Sequence, residues 1–315
     1  MKRNLLRDTI APYVGILVVV LVFEIASGGR LLSVGNLKSI LEQMLVTGTI
    51  CFGYIFTMSM GSLDYSVGST YGLACIIVAV LSRVNPWLAL IGGVALAIVC
   101  STVVGTIFSY IKVPSSIVSM CFMFMLRGLV QFCSKSQAYS TPLAMHKLNE
   151  MSLKLPIFLA LFILGFFLFH YTRFGRQTKA IGCGQLASRF SGVRVERIKI
   201  LAFAFSGICV GVAAFLGMLR SGNAGATTGN TYSLNVLLAL VMGGMSIRGG
   251  AKSRFIAAFI GCAYMTLLTN GLVLIEVDVA TQQLVKGILF IATIALSVNT
   301  FGEGKRHKKN RRMAH

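Results

Sequence analysis

The sequence predicts an all-α polytopic membrane protein, with about ten transmembrane helices and both termini on the cytoplasmic side. Three observations predict it. Hydrophobic residues make up 56% of the 315 and charged residues only 12%, against roughly 45–50% and 25% in soluble domains. With a mean hydropathy of +0.80, a soluble globule could not hide so much apolar surface. Apolar stretches near the ~20 residues that cross the hydrocarbon recur along the chain, and as helices they pair every backbone polar group internally. The basic residues, finally, are distributed unequally between alternate loops, which fixes an orientation. The chain reads as one membrane domain, residues 1–300, followed by a basic cytoplasmic tail, residues 301–315.

The first stretch, 10–27, follows Lys2, Arg3 and Arg7. As a cleaved signal its apolar run would be too long, and Glu24 interrupts it beside the small residues Ala26, Ser27 and Gly28, so it reads as a retained span. The second, 40–60, ends in a Gly-rich break at 60–68, where Asp64 and Ser66 precede the third, 67–83, as candidate caps. The fourth is 87–108 and the fifth 115–133. Arg127 lies deep in the fifth, roughly 13 residues or 20 Å along it, which favours a partner or a cavity. A polar stretch, 134–153, with Tyr139, Thr141, Pro142, His146 and Asn149, separates it from a short sixth span, 155–171. Residues 172–199 face inward, before the seventh span, 198–219. The eighth, 233–247, is short and runs into a second Gly-rich break at 242–250. Spans 254–272 and 283–300 complete the set.

Alternating these spans from a cytoplasmic N-terminus gives an inner side with the three N-terminal basic residues, Lys112, seven between 173 and 199, Arg248, Lys252, Arg254 and six between 305 and 312. The outer side receives Arg30, Lys38, Arg83, Lys135, Lys147, Lys154 and Arg220. That is the bias the positive-inside rule demands, and an odd number of spans would put one basic terminus outside. The net charge of +20 therefore belongs to topology, and a nucleic-acid partner is unnecessary. Of the 29 Lys and Arg, Arg127 and Lys286 are assigned to spans, while Arg83, Lys199 and Arg254 stand at span ends and count with the loops; for Lys286 snorkelling toward the outer interface explains the position.

Catalytic and cofactor signatures fail on context. Residues 182–187 fit G-x-G-x-x-A, yet a cytoplasmic loop of this size leaves no room for a βαβ unit. Residues 244–253 resemble a phosphate loop only faintly, since Lys252 does not directly follow the second glycine of the pattern. The four histidines match no metal spacing. Six of the eight cysteines lie in apolar runs and no CxxC pair exists, so no structural disulfide is expected. The chain is not expected to be an enzyme.

Two features exceed what lipid solubility requires. The breaks at 60–68 and 242–250 align without gaps, Met-Gly at the start and Gly at the end. They read either as two similar interfacial turns or as broken-helix elements lining a path. Within the inward loop, residues 180–190 can form a short helix, with Gly182 and Gly184 near its start and Gly192 as its stop. Under the membrane it would be a docking surface. Gln131, Asn235, Asn270 and Ser119 are neutral polar residues that could bind a hydroxylated solute or join helices.

Six segments, in order, resemble the permease subunits of simple-sugar ATP-binding-cassette importers of the ribose, galactose and xylose type: GSLDYSVGS (61–69), VPSSIVSMCFMFMLRGL (113–129), RFGRQTKAIGCGQLASRFSGVRVERIK (173–199), GGMSIRGG (243–250), NGLVL (270–274) and QQLVKGI (282–288). The family usually has a glycine and an aliphatic residue where Ser62 and Tyr65 stand. It often has Asn and an acidic residue at Cys183 and Gln185, and commonly Ala at Ser188. The resemblance implies a type II importer-like fold of ten helices, pairing with a second permease copy or paralogue in the bacterial inner membrane, a cytoplasmic ATPase subunit and an extracytoplasmic solute-binding protein. ATP and Mg would belong to the ATPase, with no cofactor on this chain. By position, Ala180, Gly182, Cys183, Gln185, Ala187, Ser188, Arg189 and Gly192 would form the ATPase-coupling element. Asp64, Ser66, Arg127, Gln131, Asn235 and Asn270 are the candidates for the translocation path. The basic tail is expected to meet anionic lipid. Close relatives carry other solutes, including autoinducers, and a sister family carries branched-chain amino acids. An ion-coupled secondary transporter would want more buried carboxylates than this chain has.

Overall fold

The structure is a computed structural model that describes residues 2–291, except 112, 135, 136, 143, 144 and 146, with side chains described from residue 13 onward. Lys112, Lys135, His146, the second half of the tenth predicted span and the tail lie outside the described residues. The molecule is an all-α polytopic membrane protein. Its helices are α1 (Lys2–Ala26), α2 (Val34–Ser59), α3 (Val67–Leu81), α4 (Pro86–Ile111), α5 (Ser115–Ser134), α6 (Met151–Tyr171), α7 (Arg173–Cys183), α8 (Gln185–Phe190), α9 (Val195–Ser221), α10 (Tyr232–Met242), α11 (Ile256–Leu274) and α12 (Val279–Ile291). Six of them, α2, α4, α5, α6, α9 and α11, are long and apolar enough to cross a membrane; Tyr13–Ala26, α3, α10 and α12 are shorter apolar helices.

Burial sorts the long helices into layers. The apolar windows of α2 and α9 are 72% buried and that of α11 67%, whereas α4, α5 and α6 are 22–33% buried. The first three form the core and the others present apolar side chains to lipid. Exposed Ile91, Val99, Phe124, Phe132, Ile163 and Phe167 mark that outer surface. Without a hydrophobic driving force between helices in lipid, close packing rests on small residues. On α9, Gly207 lies against the backbone of Ala97 and Ile98 in α4, and Gly211 against Val94. On its other side, Gly53 of α2 faces the Ser206 backbone and Cys209.

Among the described apolar helices, α3 and α10 fall short of the membrane thickness on their own and need the adjoining irregular chain to complete a pass. At 1.5 Å per residue, α3 is about 22 Å long and α10 about 17 Å, against a hydrocarbon core of ~30 Å. Each is preceded by non-helical chain packed on the bundle: that before α3 encloses Ser62, Asp64 and Ser66, whereas that before α10 is only partly buried, with Gly229 enclosed. After α2 ends, the chain doubles back, so that the Asp64 amide donates to the Tyr54 hydroxyl at 3.0 Å, five residues before the helix end. Before α10, the segment 225–231 lies on α3: a Cβ on Gly72 would run into the Thr228 carbonyl, and one on Gly229 into the Gly68 carbonyl. Irregular backbone is tolerated at such depth only when protein surrounds it.

The eighth predicted span, 233–247, starts with α10 but outlasts it: the helix ends at Met242, where the break near Gly243 begins, and the chain at 225–231 ahead of it packs on α3. The first helix reaches back to Lys2, well before position 10. A two-stranded antiparallel pair, β1 (Tyr139–Ser140) and β2 (Asn223–Ala224), matches Tyr139 with Ala224 and Ser140 with Asn223, tying two loops together.

Candidate functional site

The two Gly-rich breaks begin as the same device, a Schellman cap, in which a residue with positive φ lets two following amides satisfy the last carbonyls of a helix. At the end of α2, Gly61 (φ 73) donates to Met58 O at 2.9 Å and Ser62 to Thr57 O at 3.2 Å. At the end of α10, Gly244 (φ 90) donates to Val241 O at 3.0 Å and Met245 to Leu240 O at 2.9 Å. The ungapped sequence alignment pairs Gly61 with Gly243. The structure pairs Gly61 with Gly244, one residue on, because the cap is fixed by the sign of φ and not by the preceding methionine.

These breaks touch each other. The Gly250 amide donates to Ser59 O at 2.9 Å, and a Cβ on Gly61 would lie 2.9 Å from Arg248 O. Gly249, with φ 65, sits where any side chain would strike the carbonyls of Ser59 and Met58. Gly182 joins the same point: its Cβ would meet Ser59 O and the Gly250 backbone. Beside it, the Ala251 amide donates to Cys183 Sγ at 3.2 Å. The inward loop, the end of α2 and the loop after α10 therefore converge on one backbone junction. Phe174 of α7 stacks on Phe56 of α2, ring centroids 5.2 Å apart, next to Phe169 and Phe205.

The inward loop differs from its predicted form. One helix over 180–190 was expected; two are present, broken at Gly184. The Thr172 hydroxyl accepts the Gly175 amide and starts α7 seven residues ahead of the expected start. Gly192 is the stop, with φ 80 and a Schellman pattern to Arg189 and Ser188. Of the predicted coupling residues, Gly182 packs inward and Ser188 is buried, its hydroxyl donating to Gly184 O at 2.9 Å. Ala180, Cys183, Gln185, Ala187, Arg189 and Gly192 are exposed, and Arg189 pairs with Glu196. The sequence reading missed Leu186 and Phe190, 68% and 85% exposed, one turn apart on α8. Two large apolar side chains on a basic loop outside the apolar spans were the available signal. On α7, Lys179 stands over the Phe169 ring at 4.2 Å, and its partial burial lowers its pKa. An open cavity of about 680 Å³ lies between α8 and the first break, walled by Gly61, Leu63, Ser115, Gln185, Arg189 and Lys199.

The predicted path residues separate into groups. Asp64 and Ser66 are together and buried: Asp64 Oδ1 accepts the Ser66 amide at 2.9 Å and its hydroxyl at 2.5 Å, while Oδ2 has no hydrogen-bond partner among the described residues. Asp64 thus forms a turn just ahead of α3, and Ser66, at the N-cap, makes no side-chain cap bond. The start of α3 is instead tied to α10 through Ser233, whose Oγ accepts the Gly68 amide at 3.0 Å and donates to Tyr65 O at 2.7 Å. Arg127 Nη2 donates to Asn230 O at 3.1 Å, in the segment that precedes α10. Gln131 is exposed. Asn235 lines a small cavity with Gln43 and Thr47 of α2 and Arg220 of α9. Asn270 accepts from Asn36 Nδ2 at 2.9 Å, joining α11 to α2.

Three charged positions are also resolved. Lys286 is only 8% exposed, so it is held inside the protein and does not snorkel. Glu24 accepts the Leu32 amide at 3.0 Å. Glu42, inside the second predicted span and passed over in the sequence reading, is an ionic hub: Lys154 Nζ lies 3.1 Å from Oε1 and Arg220 Nε 3.8 Å from Oε2, linking α2, α6 and α9.

Comparison with known proteins agrees with this architecture. The family described as branched-chain amino acid transport system / permease component matches residues 36–294. The chain is 30% identical over 298 residues to the ribose import permease protein RbsC of Bacillus subtilis (strain 168), covering 91% of this chain and 92% of that one. It is 29% identical over 268 residues to the L-arabinose transport system permease protein AraH of Escherichia coli (strain K12), covering 82% and 81%. To the xylose transport system permease protein XylH of the same strain it is 26% identical over 349 residues, covering 89% and 88%. No solved structure matches it. With two broken helices meeting the loop at 172–194 at one glycine junction, and a match running from α2 to the end of α12, the chain belongs to this family of transport permeases.

Proposed function

We propose that this chain is the membrane-spanning permease subunit of a bacterial importer of a simple sugar of the ribose, arabinose or xylose class, driven by ATP hydrolysis in a separate subunit. The observation that carries the reading is the seating of Gly182 on Ser59 O and the Gly250 backbone, with Leu186 and Phe190 projecting from the next helix. A partner gripping α8 would pull on the ends of both interrupted helices at once. Backbone contacts that leave no room for a Cβ transmit displacement with little slack.

ATP and Mg²⁺ would be held by that partner, an ATPase docked on α8, while an extracytoplasmic binding protein delivers the solute. Names of the relatives support the sugar; the family description supports an amino acid as the second reading. Six long and four shorter apolar helices support ten passes in the inner membrane, with both termini cytoplasmic and residues 1–300 as one membrane domain. Two permeases would pair, and the tail at 301–315 would meet anionic lipid.

The test is reconstitution of the full chain with its ATPase and binding protein in vesicles. ATP-dependent accumulation of D-ribose, L-arabinose or D-xylose is expected. Accumulation by the subunit alone without ATP overturns the proposal, and leucine accumulation in place of any sugar selects the second reading.

A further inference from the structure

A cavity of about 160 Å³ lies among the outer part of α2, the end of α9, the start of α10 and the middle of α11. At ~30 Å³ per water it holds about five waters, below the ~300–1,000 Å³ of drug-sized sites. Its lining is unusual for a cleft between apolar helices. Gln43 and Thr47 face it from α2, Asn235 from α10, and Thr266 and Thr269 from α11, with Arg220 at one side. Thr266 is 4% exposed and its hydroxyl has no hydrogen-bond partner among the described residues. A buried hydroxyl left unpaired forfeits the hydrogen bond it would make in water, a cost that an occupant with matching groups removes.

The chemistry of the lining selects the occupant. Threonine hydroxyls and the Gln and Asn amides each offer both donors and acceptors, as the hydroxyls of a sugar do. Among the described residues, none of the side chains lining the cavity is a carboxylate that could take an ammonium group, and the Arg220 charge is shared with Glu42 at 3.8 Å. The apolar wall is confined to Met265 and to Tyr232, whose ring packs on Tyr71 at 4.5 Å, with little room to bury a branched aliphatic side chain. We infer that this cavity is a resting site for a small neutral polyol on its way through the subunit, with Thr266 and Asn235 as its principal hydrogen-bonding groups. The inference rests on the proposed sugar permease and names where that solute is held.

The experiment uses the reconstituted complex, with D-ribose as the probe and L-leucine as its counter-probe, and reads solute accumulated per ATP hydrolysed. Thr266→Val and Asn235→Leu are each expected to lower D-ribose uptake per ATP about fivefold, as the loss of one hydrogen bond would. Thr266→Ser, which keeps the hydroxyl, retains the wild-type ratio, and so does Thr106→Val, the same chemical change in α4 away from the cavity. Wild-type ratios in both Thr266→Val and Asn235→Leu overturn the inference while leaving the sugar permease standing. L-leucine uptake in place of D-ribose by the wild type overturns both.

Discussion

Ser59 and Gly250 are joined by a single hydrogen bond, 2.9 Å from the Gly250 amide to the Ser59 carbonyl. It ties the end of α2 to the loop that follows α10. Gly182 closes over the same carbonyl, so three segments far apart in sequence meet at one carbonyl. The junction consists of backbone, which leaves side-chain substitution only one way to act on it, by intrusion.

Gly182→Val therefore introduces atoms where Ser59 O and Gly250 N already lie. Neither obstacle is the end of a flexible side chain. The variant is expected to lose about 1–3 kcal/mol, in the usual range for overpacking, and to lower the midpoint of thermal unfolding in detergent. An unchanged midpoint would mean that the loop is not clamped there.

Leu186→Asp combined with Phe190→Asp should behave oppositely. Both side chains are mostly exposed, and surface changes of this kind stay within about ±0.5 kcal/mol of wild-type stability. The subunit should unfold at its usual temperature yet fail to retain its ATPase on affinity purification. Normal retention would remove α8 from the docking surface.

Glu42→Gln leaves Lys154, whose side chain is 2% exposed, without its carboxylate. Breaking a buried pair from one side costs on the order of 3–5 kcal/mol, whereas replacing both partners by apolar groups costs far less. Glu42→Gln should therefore be severely destabilised, and Glu42→Leu with Lys154→Met should recover most of the loss in a thermal-unfolding comparison. Failure of the double variant to recover would show that Glu42 matters for another reason, its contact with Arg220 being the first to examine.

Ser233→Ala strands the Gly68 amide and the Tyr65 carbonyl together, because one hydroxyl serves both. At about 1–3 kcal/mol for each buried group left unpaired, unfolding should be earlier, and amide exchange at Gly68 faster than elsewhere in α3. Ser233→Thr keeps the hydroxyl and should preserve Gly68 protection; equal protection in the alanine variant would refute the link between the two interrupted helices.

The sequence by itself determined the class of the protein, most of its helices and the inward loop. Those follow from apolar run length, from basic residues at loop positions and from local chain stops such as Gly192, which depend on neighbours within one or two turns. It also carried the glycines at 61, 182 and 250, though not their meeting. Only the tertiary structure decided that the irregular chain ahead of the eighth span packs on α3, that the two breaks correspond one residue out of register, that Lys286 is enclosed, and that Leu186 and Phe190 rather than Gly182 and Ser188 face outward. Each of these turns on which distant backbone or side chain supplies a partner for a polar group, or space beside a glycine. Hydrophobicity along the chain is local, while satisfaction of polar groups inside a membrane is settled between segments more than a hundred residues apart.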